Sequence, residues 1–99
     1  MTKVHFERSG GFLGQDILLD IDVNTLPAHE ALDLLQLLQQ ADFFRLPENL
    51  VGTTSTDEFT YTISVEAGSA RHRVRVSDTS LPESLRPLIN QLSTIAMTS

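Results

Sequence analysis

The sequence has no cysteine and no tryptophan, a single tyrosine, and only 7 basic residues against 13 acidic ones. Without cysteine there is no disulfide staple, no thiolate nucleophile and no sulfur ligand for a metal. The formal charge of −6 repels nucleic acid and anionic membranes and favours solubility, so neither is expected as a partner. No apolar run approaches the ~20 residues that a membrane-spanning helix requires. The opening residues alternate in polarity where a signal peptide would carry a continuous apolar stretch, and a cytoplasmic location is expected. Ninety-nine residues are enough for one domain, 1–99, with one core and no need of metal or cofactor to hold it together.

What the chain does contain is alternation. Val4 and Phe6 interleave with Lys3, His5 and Glu7, so residues 2–8 read as a strand. Ile17, Leu19, Ile21 and Val23 interleave with Asp16, Leu18, Asp20 and Asp22 as a second. Treated as a two-residue hairpin turn, Gly10-Gly11 places Ser9 opposite Phe12 and Val4 opposite Ile17, with Gly14 as a bulge in the second strand. Asn24-Thr25-Leu26-Pro27 then opens a helix with Pro27 in its first turn. Ala31, Leu34, Leu35 and Leu38 mark the buried face of that helix as far as about Ala41. Phe43, Phe44 and Leu46 are expected to clasp its C-terminal end to the core before Pro47.

Phe59, Tyr61, Ile63 and Val65 alternate with Thr60, Thr62, Ser64 and Glu66 as a third strand. Gly68-Ser69 has the composition of a type II′ turn, which pairs Val65 with His72, Ile63 with Val74, Tyr61 with Val76 and Glu66 with Arg71. Ser80-Leu81-Pro82-Glu83 has the form of a capping box. Leu85, Leu88, Ile89, Leu92 and Ile95 define a final helix, and Pro87 sets its start near Ser84 or kinks its first turn. The order β-β-α-β-β-α predicts an α+β two-layer sandwich, a four-stranded antiparallel sheet with two helices on one face. The strand order is left open.

Chemistry is sparse. His29-Glu30-Ala31-Leu32-Asp33 stops short of the H-E-x-x-H zinc helix, because its last residue is Asp, and its leucines belong to a core helix. His5, His29 and His72 lie on different elements. Asp16, Asp20 and Asp22 follow strand alternation and not a calcium loop. No acid, base or nucleophile has an evident partner, so no catalytic residue, metal site or cofactor is assigned and an enzyme is not expected.

Two stretches remain as contact surfaces. In Arg8-Ser9-Gly10-Gly11-Phe12-Leu13-Gly14, bare backbone adjoins large apolar side chains, which suits either a plug for the protein's own core or bait for a partner. The segment 48–57, with Gly52 and the run Thr53-Thr54-Ser55-Thr56, is the longest irregular stretch. A stripe of Arg71, Arg73 and Arg75 is the one basic feature. It raises an alternative, a non-catalytic interaction or homodimerisation module that uses this face or a sheet edge.

Lys3-Val4-His5-Phe6-Glu7-Arg8-Ser9-Gly10-Gly11-Phe12 resembles the opening of the emfourin family, the protealysin-inhibitor group. Ala41-Asp42-Phe43-Phe44-x-Leu46-Pro47, Phe59-x-Tyr61 with Val65-Glu66, His72-x-Val74-Arg75-Val76-x-Asp78 and Leu85-Arg86-Pro87-Leu88 extend the similarity over nearly the whole chain. The resemblance implies a small, monomeric, cytosolic inhibitor of a thermolysin-like zinc metallopeptidase, acting by occupying the active-site cleft. On that basis Arg8, Ser9, Gly10, Gly11, Phe12 and Leu13 form the inserting hairpin tip, and the loop 46–58, through Thr53, Thr54 and Asp57, braces it. Phe12 or Leu13 would fill the pocket after the scissile bond. Whether a side chain touches the catalytic zinc of the target is left open, with Ser9, Asp57 and Glu58 as the candidates and none of them assigned as a ligand.

Overall fold

The computed structural model describes residues 2–10, 16–51 and 58–98. Four strands, β1 (Thr2–Gly10), β2 (Ile17–Asp22), β3 (Phe59–Ala67) and β4 (Ala70–Ser77), form one antiparallel sheet in the order β2-β1-β3-β4. Helices α1 (Ala28–Gln40) and α2 (Arg86–Thr98) cover one face, which gives the expected β-β-α-β-β-α sandwich. The two strands that open the halves of the chain meet at the centre: β1 pairs with β3 over its full length, from Thr2↔Ala67 to Gly10↔Phe59.

Parity decides what each strand buries. Val4, Phe6, Leu19, Tyr61, Ile63, Val65, Val74 and Val76 point to the helices and are buried with Leu34 and Leu38 of α1 and Leu88, Ile89 and Leu92 of α2. On the open face His5 meets Asp20 at 2.6 Å, Arg71 meets Glu66 at 3.6 Å, and Arg73 Nε donates to Ser64 Oγ at 3.1 Å. The β3–β4 register agrees with expectation pair for pair, Val65↔His72, Ile63↔Val74 and Tyr61↔Val76. Gly68 has φ +61° while Ser69 keeps negative φ, the arrangement a type II′ turn requires.

The β1–β2 register corrects the sequence reading. Val4 lies opposite Ile21 and not Ile17, Phe6 opposite Leu19, and Arg8 opposite Ile17. Gly10-Gly11 is therefore not a two-residue turn, since β1 runs through Gly10 and β2 begins only at Ile17. Gly14, where a bulge was expected, lies outside the described residues. The displacement is four residues, an even number, so every side chain keeps its face. The observed register sets Lys3 opposite Asp22, where the tighter turn would set it opposite Leu18, while His5 faces an aspartate in either, Asp20 here and Asp16 there.

Smaller corrections follow from burial. Phe43 is sealed in the core and packs edge-on against His72, with ring centroids 5.6 Å apart, but Phe44 is 43% exposed. Leu35 sits at the rim of the α1 apolar face, beside the exposed Leu32. Helix α1 stops at Gln40, and Asp42, in left-handed backbone at φ 52°, turns the chain into the 3-10 turn Phe43–Arg45. Ser80 forms no capping box: its Oγ accepts from Ser77 N–H at 2.9 Å. A 3-10 turn, Glu83–Leu85, precedes α2, so Pro87 falls in the helix's first turn, where a missing N–H costs nothing.

Part of the 48–57 segment is also ordered against the sheet. Leu50 N–H donates to Arg75 O at 2.8 Å and Arg75 N–H to Glu48 O at 2.9 Å, covering part of the outer edge of β4. The burial pattern makes a direct stability contrast. Phe6→Ala should cost roughly 3–5 kcal/mol in urea unfolding, whereas Leu32→Ala, on an exposed helix face, should stay within about 0.5 kcal/mol.

Candidate functional site

The candidate residues that are described lie at one end of the sheet. Gly10↔Phe59 is the last pair of β1 with β3, and Arg8↔Ile17 is the last described pair of β1 with β2. The connection from β1 to β2 and the segment entering β3 therefore depart from adjacent positions. Of the residues expected to contact a partner, Arg8, Ser9 and Gly10 are brought together at this end. Gly11, Phe12, Leu13, Thr53, Thr54 and Asp57 lie outside the described residues.

Gly10 is where backbone geometry demands glycine. Its φ is +88°, and a Cβ built on it would lie 2.9 Å from the carbonyl oxygen of Glu58. Left-handed backbone and a close main-chain neighbour both exclude a side chain. The absence of a side chain lets β1 run flush against the start of β3.

Beside Gly10 the core-facing side of the sheet carries a row of rings. Phe6 stacks near-parallel with Tyr61 at 6.2 Å, Tyr61 adjoins Phe59 at 6.4 Å, and the Arg8 guanidinium carbon sits 4.5 Å from the Phe59 ring centroid. Arg8 thus ends an apolar row with a charge held over an aromatic face.

A polar clamp fixes the start of β3. Asp78 Oδ2 accepts from Phe59 N–H at 3.0 Å, its Oδ1 accepts from the Tyr61 hydroxyl at 2.8 Å, and Asp78 N–H donates to Phe59 O at 3.2 Å. Glu58 is 8% exposed and accepts from both the backbone N–H and the hydroxyl of Thr79. Two successive residues, 58 and 59, are thereby tied to 78 and 79. With its carboxylate turned to Thr79, Glu58 is a structural residue of this clamp and not an outward-facing oxygen.

The clamp perturbs the one tyrosine. Burial, reinforced by the hydrogen bond to Asp78 and its negative charge, pushes the Tyr61 hydroxyl up to about 12, against a smaller opposing pull from Arg8 and Arg86. These groups hold a surface in place and carry no catalytic geometry. Among the described residues no cluster of three or more His, Asp or Glu is positioned to hold a metal. None of the described helices is long and apolar enough to cross a membrane. Arg71 and Arg73 are engaged locally by Glu66 and Ser64.

Sequence reasoning singled out Arg8 and Gly10 but missed the clamp of Glu58, Phe59, Tyr61, Asp78 and Thr79. Its one sequence signal was that Phe59-x-Tyr61 and Asp78 fall within the stretches that resemble a known family. A family model described as Emfourin matches residues 6–93. No curated protein and no solved structure matches the chain.

Two measurements test this geometry. Gly10→Ala should destabilise the fold by about 1–3 kcal/mol, through left-handed strain and the clash with Glu58 O. Tyr61 has a raised folded-state pKa, so its contribution is fully present below the unfolded value near 10 and is lost as pH rises towards 12. Stability should accordingly fall between pH ~10 and ~12 by an amount on the order of 2 kcal/mol, and Tyr61→Phe should remove that dependence. Because the chain has one tyrosine and no tryptophan, ultraviolet titration of phenolate reads the native value directly, and a midpoint near 10 would refute the clamp.

Proposed function

The chain belongs to the Emfourin family, a family of protease inhibitors, and we propose that its target is a thermolysin-like zinc metalloprotease whose active-site cleft it occupies. The observation that supports this reading is the shared exit at the Gly10↔Phe59 pair, which roots the β1–β2 connection and the segment before β3 side by side. In the proposal the β1–β2 connection, with Gly11, Phe12 and Leu13, enters the cleft. The segment containing Thr53, Thr54 and Asp57 braces it.

The physical logic is preorganisation. A free peptide entering a protease cleft must freeze about 1–2 kcal/mol of backbone entropy per residue, and once bound it relaxes into the geometry that is cut. A segment held at both ends by a hydrogen-bonded sheet has already met much of that entropic cost. Its scissile bond can also be held off the line of attack. Phe12 or Leu13 supplies the bulky apolar group that such enzymes accept after the cleaved bond, and Gly11 lets main chain approach the cleft without a Cβ. The clamp through Asp78 and Glu58 supplies rigidity that glycines cannot. The inhibitor acts as a monomer, with no cofactor and no chemistry of its own.

Titrating a thermolysin-like metalloprotease with the protein should abolish peptide hydrolysis at near-stoichiometric ratios. Phe12→Ala and Gly11→Trp should each weaken inhibition by about tenfold or more while leaving the urea midpoint in place. A Phe12→Ala loss of roughly 3–5 kcal/mol in stability, the scale of a core phenylalanine truncation, would make Phe12 a plug of its own core and overturn the proposal.

A further inference from the structure

Arg8 differs from the other arginines. Arg45, Arg71 and Arg86 lie within 4 Å of Asp42, Glu66 and Glu83 respectively, and Arg73 donates to Ser64. Arg75 is exposed on the open face, where water serves it. Arg8 is half-buried, its guanidinium lies over Phe59, and its Nε–H is screened from solvent with no acceptor. No carboxylate among the described residues comes within ion-pair distance of it. The nearby acids are committed elsewhere: Asp78 to Phe59 N–H and the Tyr61 hydroxyl, Glu58 to Thr79, and Glu7, by strand parity, to the opposite face.

A protein with 13 acidic residues in which, among the described residues, no carboxylate pairs with the ring-stacked guanidinium of Arg8 is holding that charge ready for something else. A guanidinium presents five donors in a planar fork that matches a carboxylate, and stacking on a ring fixes the plane of the fork before any partner arrives. Half-buried arginines beside aromatic rings are also the residue type that carries binding energy at protein interfaces. Gly10, two residues on, places this charge at the root of the segment proposed to enter the cleft.

We infer that Arg8 is the anchoring site for a carboxylate of the target protease, an aspartate or glutamate on the rim of its cleft, and that this pair selects among proteases of similar cleft shape. The inference rests on the inhibitor reading above. It adds to that reading the chemistry of the partner at one position. Phe59 is the platform that orients the fork. The overall negative charge of the inhibitor, which would oppose approach to an acidic rim, makes one positioned cation there more discriminating.

The test compares wild type, Arg8→Met and Arg8→Lys as inhibitors of one thermolysin-like metalloprotease at ~20 and ~300 mM salt, with urea midpoints measured in parallel. Arg8→Met keeps the stem on Phe59 and should retain the fold. It should weaken inhibition by about tenfold to a hundredfold at low salt and lose most of the salt dependence, while Arg8→Lys, a charge without a fork, should fall between. Inhibition by Arg8→Met within about twofold of wild type, at unchanged stability, overturns the carboxylate anchor alone. Weakened inhibition that merely tracks a lowered urea midpoint makes Arg8 structural and also overturns it. A wild-type protein that leaves the protease uninhibited overturns the inhibitor reading, and this one with it.

Discussion

The pairing of β1 with β3 is the constraint on which the rest of the structure depends. It joins segments 49 to 65 positions apart, from Gly10↔Phe59 to Thr2↔Ala67, so the entropy of closing that loop must be met by the contacts it makes. Those contacts are the centre of the core: Val4 beside Val65, Phe6 beside Ile63, and Phe6 stacked on Tyr61. With β1 and β3 joined, β2 and β4 become the outer strands and both helices find a single apolar face to cover. The same pairing sets Gly10, at the end of β1, beside Phe59, at the start of β3.

That end is built to hold backbone still. Gly10 allows main chain to approach Glu58, Asp78 and Thr79 secure the first residues of β3, and the rings of Phe6, Tyr61 and Phe59 lead from the core out to Arg8. Buried hydrogen-bonded groups of this kind contribute modestly to net stability, but leaving any one of them unpartnered is expensive, so they specify one arrangement. The proposed docking into a protease cleft would benefit from that, because every degree of freedom fixed beforehand is one not lost on docking. The sheet's outer edges are guarded by different means. The Glu48–Leu50 backbone covers part of β4, while Asp20 and Asp22 on β2 place charge where another strand would add.

The two hairpins show where local reasoning succeeds and where it stops. In β3–β4 the turn residues are adjacent to both strands and the type II′ geometry of Gly68-Ser69 leaves one register, so the pairing was legible. In β1–β2 the glycines suggested the tightest turn, and the true register is four residues away. Both registers satisfy the apolar alternation. Both also set an aspartate opposite His5, and the observed one alone sets Lys3 opposite Asp22, a difference apparent only once the strands are set side by side. Phe44 and Leu35 were misplaced for a related reason: their hydrophobicity is plain in sequence, but which of the neighbouring apolar side chains is buried is settled by packing, and there Phe43 and Leu38 are buried while Phe44 and Leu35 stay exposed.

The sequence by itself determined the elements, the face each one buries, the β-β-α-β-β-α order and the likeness to an inhibitor family, because these follow from side-chain periodicity and short motifs. Gly10 and Arg8 could be singled out from the same stretch without their geometry being known. The tertiary structure alone decided the strand order, the first hairpin's register, and the assembly of Arg8, Glu58, Phe59, Tyr61, Asp78 and Thr79 at one end of the sheet. Those residues come from three separate parts of the chain, and their energies arise from contacts that exist only after β1 has closed against β3.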